Sequence, residues 1–416
     1  MDPDRRLASA RRPGPATATK DHVLGLRHAQ WLRLGFLLLV ALGTGLRLAP
    51  QGRYVTPDEP AWAYRSIQFL DAVGRGAWTS VPNTGHPGVT TMWMGSLGIM
   101  ARRVVERAET EDDLEWTMRM AWLEPENGEA YRHLAPFLPG GRLAVALVSV
   151  AGLLLLIPVL TPLFGQPVAV LTTGLLLLDP FLAGHSGLLH TDALLATFSL
   201  LGLVAALRGA DEPHNPVWWS AAGALSGLAL LTKTPGLVLL PFTPVVLTAG
   251  YLRAADVDAR KLGGHVWFLL RHGLLFTACF GLTFFALYPA MWGQPAVVME
   301  KLLAFGGDHV RGVQRPIYFF GRTTYDPGAA FYPVVFLFRT SPVVLLGLMI
   351  GSVGWRRLPS NRRFAFIALL AFAALFALGL TLGAKKHDRY LLPAFPPLTL
   401  AAVVGASGWW DRAGPG

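Results

Sequence analysis

Two acids stand side by side at Asp58-Glu59, just after the first long apolar run of this 416-residue chain. A third, Asp192, opens a later apolar run within His190-Thr191-Asp192. Carboxylates at the edge of an apolar layer can take a proton from a hydroxyl, orient a basic group or hold a cation. Cations gather ahead of the last apolar run as Lys385, Lys386 and Arg389, with Tyr390 beside them, and Lys233 and Arg339 stand at two further run boundaries. Such groups suit a phosphate, because arginine offers a planar fork matched to its oxygens and lysine a point charge. His86, ahead of Pro87-Gly88, could donate a hydrogen bond to a sugar or phosphate; His185 is a weaker candidate. The stretch Gly306–Tyr325 adds Asp308, His309, Arg311, Arg315, Tyr318, Arg322 and Tyr325, and reads as a lid or an acceptor-contacting loop.

Each of these groups also has a structural explanation. Thr56-x-x-Glu59 is a capping box with Pro57 at the first helical position, so Glu59 has a reason to exist without chemistry. Asp58 has no equally complete one. Asp192 or Thr191 would cap the run that follows, His86 would sit in a turn, and Lys233 would snorkel from a span end. Anionic headgroups would attract the run Lys385–Arg389, and Arg339 would anchor a helix end. Asp58, Glu59, His86, His190 and Asp192 could enclose a metal in space, but no spacing among them is that of a ligand set, and no metal is assigned.

The elements that must position these residues are membrane spans. Only 15% of residues are charged, against about 25% in soluble domains, and runs such as Phe364–Ala384 and Leu391–Trp410 can cross a layer that needs about 20 residues. Ten spans are predicted: Leu34–Pro50, Arg142–Leu160, Gln166–Phe181, Thr191–Leu207, Pro216–Leu231, Pro235–Tyr251, His272–Tyr288, Arg339–Trp355, Phe364–Gly383 and Leu391–Trp410. The fold class is therefore an all-α polytopic membrane protein, with residues 34–410 as its transmembrane domain between a basic, disordered cytoplasmic tail (1–33) and a short C-terminal tail (411–416). The formal charge of +10 comes mostly from residues flanking apolar runs, where they set topology, and argues for no nucleic acid. The tail, the loop Arg253–Arg271 and the loop Trp355–Arg363 are the basic ones, so the N-terminus is expected in the cytoplasm and the chain in the plasma (inner) membrane. Lys385–Arg389 then falls on the wrong side, where topology gains nothing from it. The lone Cys279 says nothing of redox compartment.

Under that topology the first loop, 51–141, is extracytoplasmic. It is expected to hold a helix carrying Trp62, Phe69, Leu70 and Val73 on one face, and a second starting after Gly88, both suited to the membrane interface. Between Glu109 and Glu129 it reads as an acidic, solvated excursion. No internal repeat and no nucleotide-binding glycine signature is present.

Six stretches resemble motifs of the GT-C membrane glycosyltransferases of the protein-O-mannosyltransferase and aminoarabinose-transferase type. They are Tyr54–Tyr64 (YVTPDEPAWAY), His86–Met92 (HPGVTTM), His190–Phe198 (HTDALLATF), Leu231–Gly236 (LTKTPG), Phe331–Pro342 (FYPVVFLFRTSP) and Lys386–Pro393 (KHDRYLLP). They follow the family's order and span most of the chain, which is shorter than the usual member. The resemblance implies a GT-C-like bundle, a catalytic aspartate in the acidic pair of the first loop, and an acid at Asp192 facing the same cavity. It favours Lys386 and Arg389 for phosphate. Some GT-C enzymes use a divalent cation and the mannosyltransferase type generally does not, so a cation stays an open alternative.

A transferase outside the membrane has no pool of nucleotide sugars and would draw on a polyprenyl-phosphate sugar in the bilayer. It needs a carboxylate base, cations for the departing phosphate and an apolar groove. One base opposite one leaving group implies inversion. Asp58 is the expected base, with Glu59 and Asp192 the other catalytic candidates. Lys386, Arg389, Lys385, Tyr390, Arg339 and Lys233 are expected on the phosphate, and His86, His190, Arg315 and Tyr325 on substrate. The partners expected are the lipid-linked donor, membrane lipids and a glycan, lipid or protein acceptor. A transporter or flippase would keep its ionisable groups near the midplane and often show repeats; here the polar motifs lie at one end of the spans. A scaffold that keeps the fold without activity is the third reading.

Overall fold

The computed structural model describes residues 34–49, 54–119, 128–255, 261–311, 316–383 and 385–410, with Gln30. The expectations for the two tails and for Arg315 lie outside these residues.

A first apolar helix, α1 (Leu34–Leu48), precedes the long loop. The loop holds α2 (Glu59–Gly74), α3 (Val89–Val105), α4 (Arg107–Arg119) and α5 (Gly128–Leu134). Then come α6 (Leu138–Phe164), α7 (Gln166–Leu178), α8 (Pro180–Ser186), α9 (Thr191–Asp211), α10 (Pro216–Thr232), α11 (Leu239–Ala254) and α12 (Leu262–Leu287). A second polar region carries α13 (Ala290–Gly293), α14 (Pro295–Arg311) and the hairpin β1 (Ile317–Phe319) with β2 (Arg322–Thr324). The chain closes with α15 (Phe331–Arg339), α16 (Pro342–Gly354), α17 (Ser360–Leu382), a 3-10 segment Asp388–Ala394 and α18 (Phe395–Trp410).

Among the described residues six helical runs are long and apolar enough to cross a membrane, or eight when two bent pairs each count as one span. All ten predicted spans overlap helices, but α1 is short and α10 has 17 residues. The protein is a multi-pass helical membrane protein. Its axis is α9 and the run Asp388–Trp409, each 94% buried over its apolar window. Small residues let the surrounding helices approach closely. A Cβ on Gly223 of α10 would lie 2.3 Å from the Phe276 carbonyl oxygen of α12. A Cβ on Gly98 of α3 would lie 2.3 Å from the backbone nitrogen of Gly141 in α6. That second contact seats the first loop on the bundle.

Three expectations change. α12 begins at Leu262, ten residues before the predicted start at His272, so Arg271 lies within a helix and not in a basic loop. The predicted span Arg339–Trp355 is α16 without its first residues: Arg339 instead ends α15, which is bent by 110° from the helix after it; Pro342 cannot continue a helix from Arg339, and Ser341 caps a new one by accepting the Val344 N–H at 3.3 Å. The acidic stretch after Glu109 is helical at least to Arg119, because its acids find cations. Asp113 pairs with Arg102 at 2.7 Å and lies 2.7 Å from His133, and Glu111 pairs with Arg103 at 2.8 Å.

The glycine contact is testable. Gly98→Leu should lower the melting temperature of the detergent-solubilised protein by several degrees or prevent its isolation. Gly281→Leu should not, since a Cβ there meets nothing within 4 Å. Equal melting curves for the two variants would refute close packing of α3 on α6.

Candidate active site

The first loop reaches the bundle through Glu59. Its side chain is fully buried, and Arg142 grips it with two donors, Nε at 2.6 Å from Oε1 and Nη2 at 2.7 Å from Oε2. The Thr56 N–H and hydroxyl donate to Oε2 at 3.0 Å each, and the Leu189 N–H donates to Oε1 at 3.0 Å. Half of the expected capping box is therefore present, but the acid's main partner lies 83 residues away in α6. Burial works against the Glu59 charge; Arg142 and the N–H donors outweigh it and hold the carboxyl below its ordinary range. With every lone pair engaged, Glu59 is turned away from any substrate. The helix starts at Glu59, with Asp58 as its N-cap residue and its side chain free of capping duty.

Asp58 points the other way. Arg389 Nη1 lies 2.6 Å from its Oδ2, and His190 Nε2 lies 3.4 Å from the same oxygen. The carboxylate is 44% exposed. Hydrogen bonding to His190 first, and the Arg389 charge, hold it far below the usual carboxylate range, against the opposing effect of burial.

Behind this pair lies a buried layer. Asp192 is 2% exposed and takes Lys233 Nζ at 2.6 Å, His190 Nδ1 at 3.1 Å and Arg389 Nε at 3.7 Å. His190 sits between the two acids and is itself the N-cap residue of α9, its Nδ1 3.4 Å from the Asp192 backbone nitrogen. Neither Asp192 nor Thr191 caps the helix. Burial disfavours a charged His190, but Asp192 and Asp58 outweigh it and raise its proton affinity. Lys233 is 6% exposed and packs its ammonium 4.6 Å from the Tyr390 ring centre. It is a buried ion-pair partner, not a snorkelling lysine.

This layer forms one end of a cavity of about 230 Å³. His86, Asp192, Lys233, Lys385 and Tyr390 line the polar end; Leu195, Val238, Phe305, Leu375, Phe376 and Leu380 line the rest. His86 packs against Phe305, the rings tilted by 53° with centres 4.0 Å apart. Gly85 and Gly88 flank it with positive φ, and a Cβ on Gly88 would overlap the Trp62 ring at 2.2 Å, so the turn that presents His86 requires glycine there. Gly379 lines the cavity too, and a Cβ on it would meet nothing within 4 Å.

The remaining candidates lie apart. Lys386 is buried but turned to Asp326 at 3.4 Å and to the Gly383 carbonyl at 3.0 Å, so it fastens the segment after the hairpin and does not line the cavity. Arg339 pairs with Asp388, lies over the Phe181 ring and lines a separate cleft beneath the hairpin. Tyr325 is 58% exposed and lines neither cavity. No group of three or more metal-binding side chains occurs among the described residues. Sequence reasoning missed Arg142, the cavity wall from α17 and Asp326. The signal for Arg142 was present, a cation opening an apolar run on the side that the basic loops predict to be external, where the positive-inside rule gives it no purpose.

A family model described as dolichyl-phosphate-mannose-protein mannosyltransferase matches residues 139–291. No curated protein matches the sequence. Among solved structures, ArnT from Cupriavidus metallidurans bound to undecaprenyl phosphate is similar at a TM-score of 0.60 and 16% identity, over 89% of this chain and 59% of that one. ArnT from the same organism in the apo state is similar at 0.59 and 19% identity, over 93% of this chain and 61% of that one. The chain thus spans about three fifths of the length of these proteins. The fold is that of the GT-C membrane glycosyltransferases. The family model matches residues 139–291 alone, and the likeness to ArnT is one of fold.

The Glu59–Arg142 pair gives a stability prediction. Glu59→Gln leaves a buried guanidinium without its counter-charge and should cost about 3 kcal/mol, read as a lower melting temperature in detergent. Combining it with Arg142→Met should recover much of the loss. A drop no larger than that of Asp58→Asn would show that the pair does not hold the loop.

Proposed function

We propose that this protein is an inverting glycosyltransferase that moves a sugar from a polyprenyl-phosphate carrier to an acceptor hydroxyl at the extracytoplasmic face of the membrane. The observation that carries this reading is the contiguity of three parts: an exposed carboxylate at Asp58, the cations Arg389, half-buried beside it, and Lys233, buried behind it, and an apolar cavity that Lys233 and Asp192 line. The ArnT likeness adds that a protein of this fold has been seen bound to undecaprenyl phosphate. A flippase has no need of a carboxylate held at the mouth of the site.

In this mechanism the isoprenoid chain enters the cavity along α17, and its phosphate meets Lys233, Lys385 and Arg389. Asp58 takes the acceptor's proton while the acceptor oxygen bonds to the sugar carbon and the bond from that carbon to the phosphate oxygen breaks. The phosphate leaves as an anion on the cations, and attack from the opposite face inverts the carbon. A carboxylate held as low as Asp58 is a weak base. A phosphate that draws Arg389 to itself removes one of the charges holding it down, so donor binding strengthens the base. Asp192 keeps Lys233 and His190 in place, and Glu59 holds the loop.

Asp58→Asn should reduce transfer from a polyprenyl-phosphate sugar by about 100-fold or more with an unchanged melting curve; unaltered transfer would end the assignment. The pH profile tests the coupling. Because the Asp58 carboxyl is held low, it stays ionised into acid, so the acid limb of kcat/KM, which reports the free enzyme, should lie below the ordinary carboxylate range. The acid limb of kcat, which reports the donor complex, should lie at higher pH. Superimposed limbs would show that Arg389 stays on Asp58. Gly379→Leu puts a side chain into the cavity from a position where a Cβ meets nothing within 4 Å, and should raise KM for the donor several-fold at unchanged melting temperature. The lipid-linked sugar that accumulates on deletion of the gene identifies the donor.

A further inference from the structure

α9 carries 21 residues, so its far end lies about 30 Å from Asp192. There, at the opposite end of the bundle, a second cleft of about 730 Å³ opens between α10 and α12, lined by His214, Pro216, Phe268, Arg271, His272 and Leu275. Nothing in the transfer mechanism uses it. Its wall is a column of rings: Tyr251 stacks on Phe268 at 4.1 Å and Phe268 on His272 at 3.9 Å. His214 sets its edge to Phe268 at 5.0 Å, and Trp219 closes on His272 at 5.4 Å.

Arg271 is the group that needs an explanation. It stands nine residues into α12, about 13 Å along the helix axis. Its side chain is exposed, between Leu270 at 63% and Leu274 at 71% exposure. Only 17% of the apolar window of this helix is buried within the protein, so the face that carries Arg271 meets lipid. Among the described residues none gives Arg271 an ion pair or hydrogen bond. An uncompensated guanidinium facing lipid is costly, and the headgroup phosphates within reach of its long side chain are the counter-ions that a bilayer supplies.

His272 narrows the choice of lipid. Its Nδ1 lies 2.9 Å from the Phe268 carbonyl oxygen and donates to it. In the neutral ring that leaves Nε2 as an acceptor only, which a headgroup hydroxyl can satisfy and a choline cannot. We propose that the cleft between α10 and α12 binds an anionic glycerophospholipid, with the phosphate on Arg271 and a headgroup hydroxyl on His272, phosphatidylglycerol being the fitting class. The acyl chains would lie along the exposed apolar face of α12.

The test uses the full chain in a neutral detergent, with native mass spectrometry and thermal melts on added phosphatidylglycerol, phosphatidylcholine or inorganic phosphate. Phosphatidylglycerol should remain bound and raise the melting temperature by several degrees, while the other two do neither. Arg271→Gln should lose about 10-fold in phosphatidylglycerol affinity, and Arg271→Lys should recover part of it. Equal binding of phosphatidylglycerol and phosphatidylcholine, or full retention by Arg271→Gln, would overturn the proposal and leave Arg271 as a snorkelling side chain. Stabilisation by inorganic phosphate alone would overturn the lipid and leave a free-anion site. Should Arg271→Gln fail to fold, the wild-type comparison of the two lipids still decides.

Discussion

The buried pair between Glu59 and Arg142 sets the position of everything at the mouth of the bundle. Bringing both charges out of water is costly, and their attraction alone does not guarantee a gain. The pair is tolerable here because every oxygen of Glu59 is engaged, by Arg142, Thr56 and Leu189. The yield is geometric. Arg142 belongs to α6 and Leu189 to the turn before α9, so one carboxylate joins the loop to two parts of the bundle. Its neighbour on the chain, Asp58, is thereby delivered to Arg389 from the last motif, 331 residues further along.

Charge balance says what that placement can accept. Asp58 and Asp192 bring two negative charges; Lys233, Arg389 and Lys385 bring three positive ones, and His190 is held toward its protonated form. The cluster carries a net positive charge against an apolar wall, which suits a monoanionic phosphodiester with a hydrocarbon tail. It also gives a place to two charges of the basic run at 385–389, Lys385 at the cavity and Arg389 on both acids. Within the run Lys386 pairs with Asp326, Asp388 with Arg339, and Arg389 with the two acids.

Much of this was legible in the sequence. Asp58 as the available acid, Asp192 as its companion, and Arg389 as a cation with a purpose beyond topology all follow from local motifs and from rules that the chain breaks. The roles within pairs were not legible. The capping box explained Glu59 from three residues away, while its decisive partner is Arg142, and no local pattern encodes an ion pair across 83 positions. Lys386 and Arg389 look equivalent in the sequence and separate in space, one fastening a loop and the other entering the site. The start of α12 was misplaced because Arg260, Lys261, His265 and Arg271 read as a loop by composition, whereas propensity for helix is unhurt by any of them.

The last motif shows how adjacent residues are given opposite duties. Asp388 begins a 3-10 segment, with His387 extended before it. In that geometry consecutive side chains leave the axis about 120° apart, so Asp388 turns to Arg339 while Arg389 turns to Asp58 and Asp192. Leu391, Leu392 and Pro393, all buried, then lock the segment to α9 and α18. The guanidinium is thus carried on a rigid base, and its backbone is held a second time by the Asp388 carboxylate, which accepts the Arg389 N–H at 2.8 Å. Of the Asp58–Arg389 pair, only the side chains need to part when a phosphate draws the guanidinium to itself. A cation fixed on the bundle and an acid carried on a loop are the arrangement in which an incoming anion can displace one without unsettling the other.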